Sequence, residues 1–200
     1  MSEQEHWESR YTAADPPPWD SGRVSAELVR RVADAKISPC RAVELGCGTG
    51  INAVWLAHRG FDVTAIDISP TAVQRARQRA TDAGVAVRFV EADVTALPDL
   101  GPPFDFVFDR GCYHAVRRGN AGGFVRALDQ ITAAGALGVV LTGNAKEPRK
   151  PGPPAVSEAT IRAELGRFFE IVSLEEFRFD QDEPDGHRHL GWSVLLRKPG

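Results

Sequence analysis

Two stretches of this 200-residue chain concentrate groups that can do chemistry. The first is VELGCGTG, Val43 to Gly50, where glycines stand at positions 46, 48 and 50 behind Glu44. Glycines so spaced accept left-handed backbone and let a ligand lie against the turn, where a following helix presents free N–H groups. The Lys-Ser/Thr pair of a P-loop is missing, which argues against ATP phosphate chemistry. The second stretch is FDFVFDRGCYHAVRRG, Phe104 to Gly119, an apolar run that breaks into Asp109, Arg110, Gly111, Cys112, Tyr113 and His114. Carboxylate, guanidinium, thiol, phenol and imidazole there offer both an anion-binding cation and candidate proton acceptors.

Acids elsewhere sort the ligand of the glycine turn. Asp67 closes the next apolar run about 20 residues on, where an acid commonly accepts hydrogen bonds from ribose hydroxyls. Glu91 and Asp93, in VEADV, close the run after that, and Asp93 is placed to accept from an adenine amino group. A nucleoside is the natural ligand. Cys47, inside the turn, is expected to border that ligand and fill space rather than react. His187 and His189 share one strand face as two candidate metal ligands, but the sequence shows no third, and no metal is expected.

The elements that must position these groups alternate. RAVEL, FDVTAID, VRFVEAD, FDFVFD and ALGVVLTG read as strands, and helices are expected over about Gly50–Arg59, Pro70–Asp82 and Ala121–Ala133. Another helix, Ser21–Ala35, precedes the sheet behind the breaker run DPPPWDSG, and one more is expected over about Ser157–Gly166. NAKEPRKPGPPAVS is long for a connection inside a compact domain, which marks it as a functional cover or a mobile segment. The last two strands, FEIVSLEEFRF and HLGWSVLLRK, are joined by the polar turn QDEPDGH without a crossover helix, so they should pair antiparallel. The expected fold is α/β and Rossmann-like in one domain over residues 1–200: a seven-stranded, mostly parallel sheet with a C-terminal antiparallel hairpin and helices on both faces. Residues 1–38 would form an N-terminal cover segment and helix, and 39–200 the catalytic core.

Composition narrows the partners. With 24 basic and 27 acidic residues the net charge is −3, so the field expected of a nucleic-acid binder is missing. Three cysteines without CxxC spacing fit neither a disulfide framework nor a zinc site, and suit a reducing cytoplasm. The polar start MSEQEHWESRY lacks the apolar core of a leader, and no apolar run approaches the roughly 20 residues that span a bilayer. A cytoplasmic protein is expected, monomeric or weakly homodimeric, acting on a small molecule.

VELGCGTG, AIDISPTAVQRAR and VEADV together resemble the class I S-adenosylmethionine-dependent methyltransferases over Arg41 to Arg197. That resemblance implies S-adenosylmethionine as cofactor and S-adenosylhomocysteine as product. It implies that Glu44 and the turn containing Gly46, Cys47 and Gly48 border the methionine part, Asp67 the ribose, and Asp93 with Val94 the adenine, with Ile68 over one adenine face. In that family the end of the fourth strand faces the sulfonium methyl, which puts Asp109, Arg110, Tyr113 and His114 at the reacting centre, with Asp109 also near the cofactor. The Asn/Asp-Pro-Pro-Tyr/Phe segment of many nucleic-acid base methyltransferases is replaced here by DRGC, which counts against base methylation.

DRG after the fourth strand, a PGPP segment after the fifth and Trp7 and Trp19 ahead of the sheet resemble the thiopurine S-methyltransferase and thiol/halide methyltransferase superfamily. By that likeness the N-terminal segment folds over the cofactor, Trp7 or Trp19 packs near the sulfonium, and Arg110 faces the acceptor. Cys112, Tyr113 and His114 depart from the residues usual in thiopurine enzymes. Methyl transfer from a sulfonium is an in-line displacement that needs alignment and exclusion of water. A thiol, with a pKa near 8.5, reacts beside Arg110 without a base, whereas a phenol, near 10, gains from one, for which His114 is the local candidate. The leading expectation is therefore methylation of a thiol or other soft nucleophile, with O-methylation of a phenol or hydroxyquinone as the alternative. An NAD-dependent oxidoreductase, opposed by the GxGxG spacing and the final hairpin, and a non-catalytic S-adenosylmethionine-binding module are more distant.

Overall fold

The computed structural model describes residues 1–147, 152–180 and 187–200. It opens with a helix absent from the sequence expectations, α1 (Glu3–Thr12). Its signal is the capping box S-E-Q-E: the Ser2 hydroxyl accepts from the Glu5 N–H, and the Glu5 carboxylate accepts from the Ser2 N–H. A polar helix with no apolar stripe escapes periodicity, and only the cap and the i,i+4 pair Trp7 and Tyr11 mark it. Next comes α2 (Ala26–Asp34), capped by Ser25.

Five strands follow in alternation: β1 (Arg41–Leu45), β2 (Asp62–Asp67), β3 (Arg88–Glu91), β4 (Phe104–Arg110) and β5 (Thr132–Asn144). Between them run α3 (Ile51–His58), α4 (Pro70–Asp82) and α5 (Cys112–Ile131). The chain continues through β6 (Ala155–Val156), α6 (Glu158–Glu164), a 3₁₀ turn, β7 (Glu170–Arg178) and β8 (Leu190–Arg197). The sheet order is β3-β2-β1-β4-β5-β8-β7, with β6 paired to the end of β5. Strand β8 runs antiparallel to both β5 and β7, while β1 to β5 pair in parallel, as anticipated. The eighth strand, β6, has two residues, too few for any periodicity to show. The expected turn QDEPDGH falls almost wholly outside the described residues, as do Lys150 and Pro151 of the KPGPP segment.

Alternation along each strand builds a core on either face. Ala42 with Phe106 and Phe108 packs beneath Leu28, Ala53, Leu56 and Val73 of α2, α3 and α4. Val43, Leu45, Phe104 and Val107 pack against Phe124, Leu128 and Ile161 of α5 and α6. Each such fully buried Val, Leu, Ile or Phe side chain contributes roughly 1.5–3 kcal/mol by leaving water. Strand order reverses between β1 and β4, and that switch point opens a crevice at the carboxyl ends of the strands. Register brings the chemistry there: Leu45 lies beside Ile66 on one side and Asp109 on the other, one residue beyond Glu44.

Helix α5 begins at Cys112, whereas the sequence suggested Ala121. Two segments join at Asn120, whose backbone leaves helical space (φ −148°, ψ 62°) while its side-chain oxygen accepts from the Gly123 N–H and restarts the helix. The later segment is the expected one. The earlier segment, Cys112–Gly119, was obscured because its cap, Asp109, stands three residues ahead of it. Among the described residues no helix is long and apolar enough to cross a membrane.

Candidate active site

A cavity of about 700 Å³ opens at the switch point. Its floor is the glycine turn, where Gly46, Gly48 and Gly50 have φ of 64°, 53° and 77°. At Gly48 the requirement is steric as well as conformational, since a Cβ there would stand 2.8 Å from the Tyr11 hydroxyl. The turn is therefore roofed by α1. The Gly48 N–H donates to Asp67 Oδ2 at 2.8 Å, and Asp67 Oδ1 accepts from Ser69 N at 2.9 Å. Asp67 thus ties the turn to the start of α4, and its carboxylate keeps further lone pairs for a ligand.

Glu44 sits in the same wall, 1% exposed. Its Oε1 accepts from Asn52 Nδ2 at 3.1 Å, while Oε2 is buried with no partner among the described residues. Burial pushes its pKa up to about 8. A buried carboxylate oxygen without a donor is the partner a ligand ammonium group needs. Asp93 uses Oδ1 on the Thr95 N–H and hydroxyl, at 2.8 and 2.9 Å, which leaves Oδ2 for an external donor. Ile68 and Val94 complete this side of the cavity, with Cys47 in the turn. Burial, then the charges of Asp67 and Glu44, holds the Cys47 thiol well above its usual range.

The N-terminal segment roofs the cavity. Trp7 and Trp19 meet edge to face with centroids 5.7 Å apart, and both line the cavity. The Trp19 Nε1–H donates to the Tyr11 hydroxyl at 3.1 Å. Glu8 fastens the roof to the start of α4, accepting from the hydroxyls of Ser69 and Thr71 and from the Thr71 N–H.

The opposite side holds Arg110, Cys112 and His114. An Arg110 N–H donates to the Trp19 carbonyl at 3.3 Å, and the guanidinium lies 5.5 Å from the Phe179 ring centroid. Burial pulls its pKa down, opposed by the charges of Asp180, Glu44 and Asp20. His114 is 8% exposed, and its Nδ1 accepts from the Gly143 N–H at 3.0 Å. Burial and then the Arg110 charge depress its pKa to about 3. The ring is therefore neutral, carries its proton on Nε2 and offers the cavity a donor. This corrects the reading of His114 as a base: the lone pair a base needs is engaged by backbone.

Two other expectations are also corrected. Asp109 does not line the cavity; fully buried, it accepts from Cys112 N at 3.1 Å and Tyr113 N at 2.8 Å and caps α5. Burial raises its pKa to about 7. Tyr113 is core, its hydroxyl donating to Glu164 Oε2 at 2.7 Å beside Arg117. Successive residues at a helix start point in different directions, so a chemistry-rich run cannot all face one pocket.

Several lining residues lay outside the sequence reading: Tyr11, Asp20, Asn52, Asn120 and Phe179. Tyr11 alone had a signal, four residues after Trp7. Pro153 and Pro154 also line the cavity, and the close approach of Pro154 explains Gly143, whose Cβ would stand 2.4 Å from the Pro154 carbonyl oxygen. The pair His187 and His189 gains a third potential ligand that sequence did not reveal, Glu147.

Comparisons with known proteins agree with this geometry. Residues 42–135 match the family model of a methyltransferase domain. The 2-heptyl-1-hydroxyquinolin-4(1H)-one methyltransferase of Mycobacteroides abscessus is 27% identical over 88% of this chain and 81% of that protein. Probable thiol methyltransferase 2 of Arabidopsis thaliana is also 27% identical, over 92% of this chain and 82% of that protein. A solved structure from work on the conversion of a disulfide bond into a thioacetal group in echinomycin biosynthesis shares the fold, with a TM-score of 0.86 at 24% identity over 99% of this chain and 92% of that one. Methyltransferases solved with S-adenosylmethionine or S-adenosylhomocysteine bound share it as well.

Proposed function

Taking as premise that this chain is an S-adenosylmethionine-dependent methyltransferase of the class I fold, we propose that its acceptor is a small molecule that reacts as an anion, foremost a thiolate. The observation that carries this reading is the hydrogen bond from the Gly143 N–H to His114 Nδ1, which makes the imidazole beside Arg110 a donor. A guanidinium and an imidazole donor in one cavity wall favour a negative acceptor atom and supply no base to take its proton.

S-Adenosylmethionine supplies, when bound, an electrophilic methyl group on a sulfonium. Glu44 would hold its ammonium group, Asp67 its ribose and Asp93 its adenine amino group. Arg110 and His114 hold the acceptor anion in line, and the α1 roof excludes water, so positioning does most of the work. No enzyme nucleophile is required, in keeping with the Cys112 thiol, whose pKa burial and then the Asp109 charge keep well above its usual range.

The test is the pH dependence of kcat/KM for thiols of differing acidity, with labelled S-adenosylmethionine. The inflection should move with the pKa of each acceptor. The second reading, O-methylation of a phenol or hydroxyquinone, draws support from His189, another imidazole in the cavity wall. An inflection that stays fixed across acceptors and disappears in His189→Gln would establish that reading instead.

Cofactor binding carries its own pH signature. Only ionised Glu44 pairs with an ammonium group, and the free protein protonates this carboxyl at about 8. Affinity for S-adenosylhomocysteine should therefore rise by a factor of about 25 between pH 6.5 and 8.5. Calorimetric titration should show the rise, and Glu44→Gln should flatten it. A flat profile in the unsubstituted protein would remove Glu44 from the ammonium site. The sign for stability is opposite: the folded pKa lies above the ordinary 4.5, so the contribution of this group to the ligand-free fold is full below 4.5 and lost as pH climbs through about 8.

A further inference from the structure

Glu147, His187 and His189 come together at the edge of the cavity from two separate stretches of chain. Glu147 follows the turn after β5, where its N–H donates to the Asn144 carbonyl. The two histidines lie on the approach to β8, spaced i,i+2 so that both side chains fall on one face. The His189 carbonyl accepts from the Phe179 N–H, which sets this approach against the end of the β7 strand's continuation. The rings meet edge to face with centroids 5.1 Å apart. His187 Nε2 is in direct contact with Glu147 Oε1, and one donor atom from each of the three residues lies within 4.8 Å of the others.

We propose that Glu147, His187 and His189 form a binding site for a divalent first-row transition-metal ion, of the zinc, cobalt or nickel class, at the acceptor end of the cavity. Two imidazoles and one carboxylate are borderline donors, which suit such ions better than the all-oxygen shells of calcium and magnesium or the thiolate shells of copper(I). No cysteine belongs to the cluster. Donors bonded to one metal at about 2.0–2.2 Å in tetrahedral geometry stand about 3.4 Å apart, so side-chain rotations of up to about 1.4 Å close the observed cluster, whose donors lie within 4.8 Å of one another, on an ion.

The surroundings fit a ligand set oriented from behind. Arg178 donates to the other carboxylate oxygen, Glu147 Oε2, at 3.3 Å, leaving Oε1 turned to the histidines. A second partner of this kind fixes the direction of a ligating carboxylate. The same guanidinium opposes a second cation nearby, so binding is expected in the micromolar range and not tighter. Glu147 and His187 are each 23% exposed at the side chain, which gives an ion a route in from solvent. His189, 7% exposed, lines the cavity itself. Three protein ligands leave at least one coordination position open, as in catalytic metal sites, and through His189 that position borders the space where an acceptor enters.

The site stands whatever the acceptor proves to be. Untagged full-length protein, freed of metal by chelation, is titrated with cobalt(II) chloride and followed by visible absorption. One equivalent should bind, with the d–d bands of a four- or five-coordinate site. His187→Ala and Glu147→Gln, neither of which lines the cavity, should each weaken cobalt binding at least tenfold while leaving S-adenosylhomocysteine affinity within twofold, which shows that the fold survives. Cys47→Ser should leave cobalt binding unchanged. Absence of saturable binding, or binding undiminished in His187→Ala and Glu147→Gln, overturns the proposal and leaves the cluster an ordinary hydrogen-bonded group.

Discussion

Replacing Arg110 with Met is expected to reduce kcat/KM for a thiol acceptor by about 10²–10³-fold at neutral pH, the usual loss when a donor to a reacting anion is removed. Arg110 lines the same cavity as His114, set between the Trp19 carbonyl and the Phe179 ring. Without it the acceptor loses both the field that lowers its pKa and the donor that aims its charge. Affinity for S-adenosylhomocysteine should change by no more than a few fold, because the groups assigned to the cofactor hang on the glycine turn and the ends of β2 and β3. Arg110→Lys should recover part of the rate, since the charge survives and the planar fork does not. Turnover of labelled cofactor and calorimetric titration separate the two effects. Equal loss of cofactor affinity in Arg110→Met would mean that the guanidinium supports the roof through Trp19 rather than the acceptor.

Gly46→Ala should abolish measurable cofactor binding, a loss above 100-fold, and lower the melting temperature by several degrees. The position combines a φ of 64° with a packing limit, because a Cβ there would stand 2.7 Å from the Cys112 Cβ. Left-handed backbone alone costs an alanine about 1–2 kcal/mol. The clash adds to that by forcing apart the end of β1 and the first turn of α5. Neither side yields easily, since Asp109 pins that turn and the Tyr113 hydroxyl is tied to Glu164. Gly84→Ala supplies the control: its φ is 67°, but a Cβ would meet nothing within 4 Å. Thermal melts should show a small effect at Gly84 and a larger one at Gly46. Comparable melting shifts with full cofactor affinity in both would leave only backbone strain.

Local signals account for what the sequence disclosed. RAVEL is β1 and Pro70–Asp82 is α4 with the boundaries expected, because an apolar run and a Ser-Pro cap are written in adjacent residues. The glycine turn with Glu44, Asp67 and Asp93 was legible for the same reason, each acid standing at or within two residues of the end of a strand. The acceptor side was not. Whether His114 is a base or a donor depends on the Gly143 N–H, 29 residues away. Asp109 turned from catalysis to capping because the helix it caps starts earlier than composition suggested, and Tyr113 turned inward with the first turn of that helix. Glu147 meets the two histidines only through the pairing of β5 with β8.

The fastening of the roof by Glu8 has a bearing on how such a scaffold diversifies. Glu8 grips Ser69 and Thr71, and Gln4 reaches Glu91, so α1 is anchored to the part of the sheet that carries the nucleoside-type acids. The acceptor wall is drawn from other material: the first segment of α5, the segment after β5 and the approach to β8. The contact between an Arg110 N–H and the Trp19 carbonyl bridges roof and acceptor wall directly. On the proposed assignment of the two walls, donor affinity and substrate range fall to largely separate parts of the chain, so drift in one can proceed while selection holds the other.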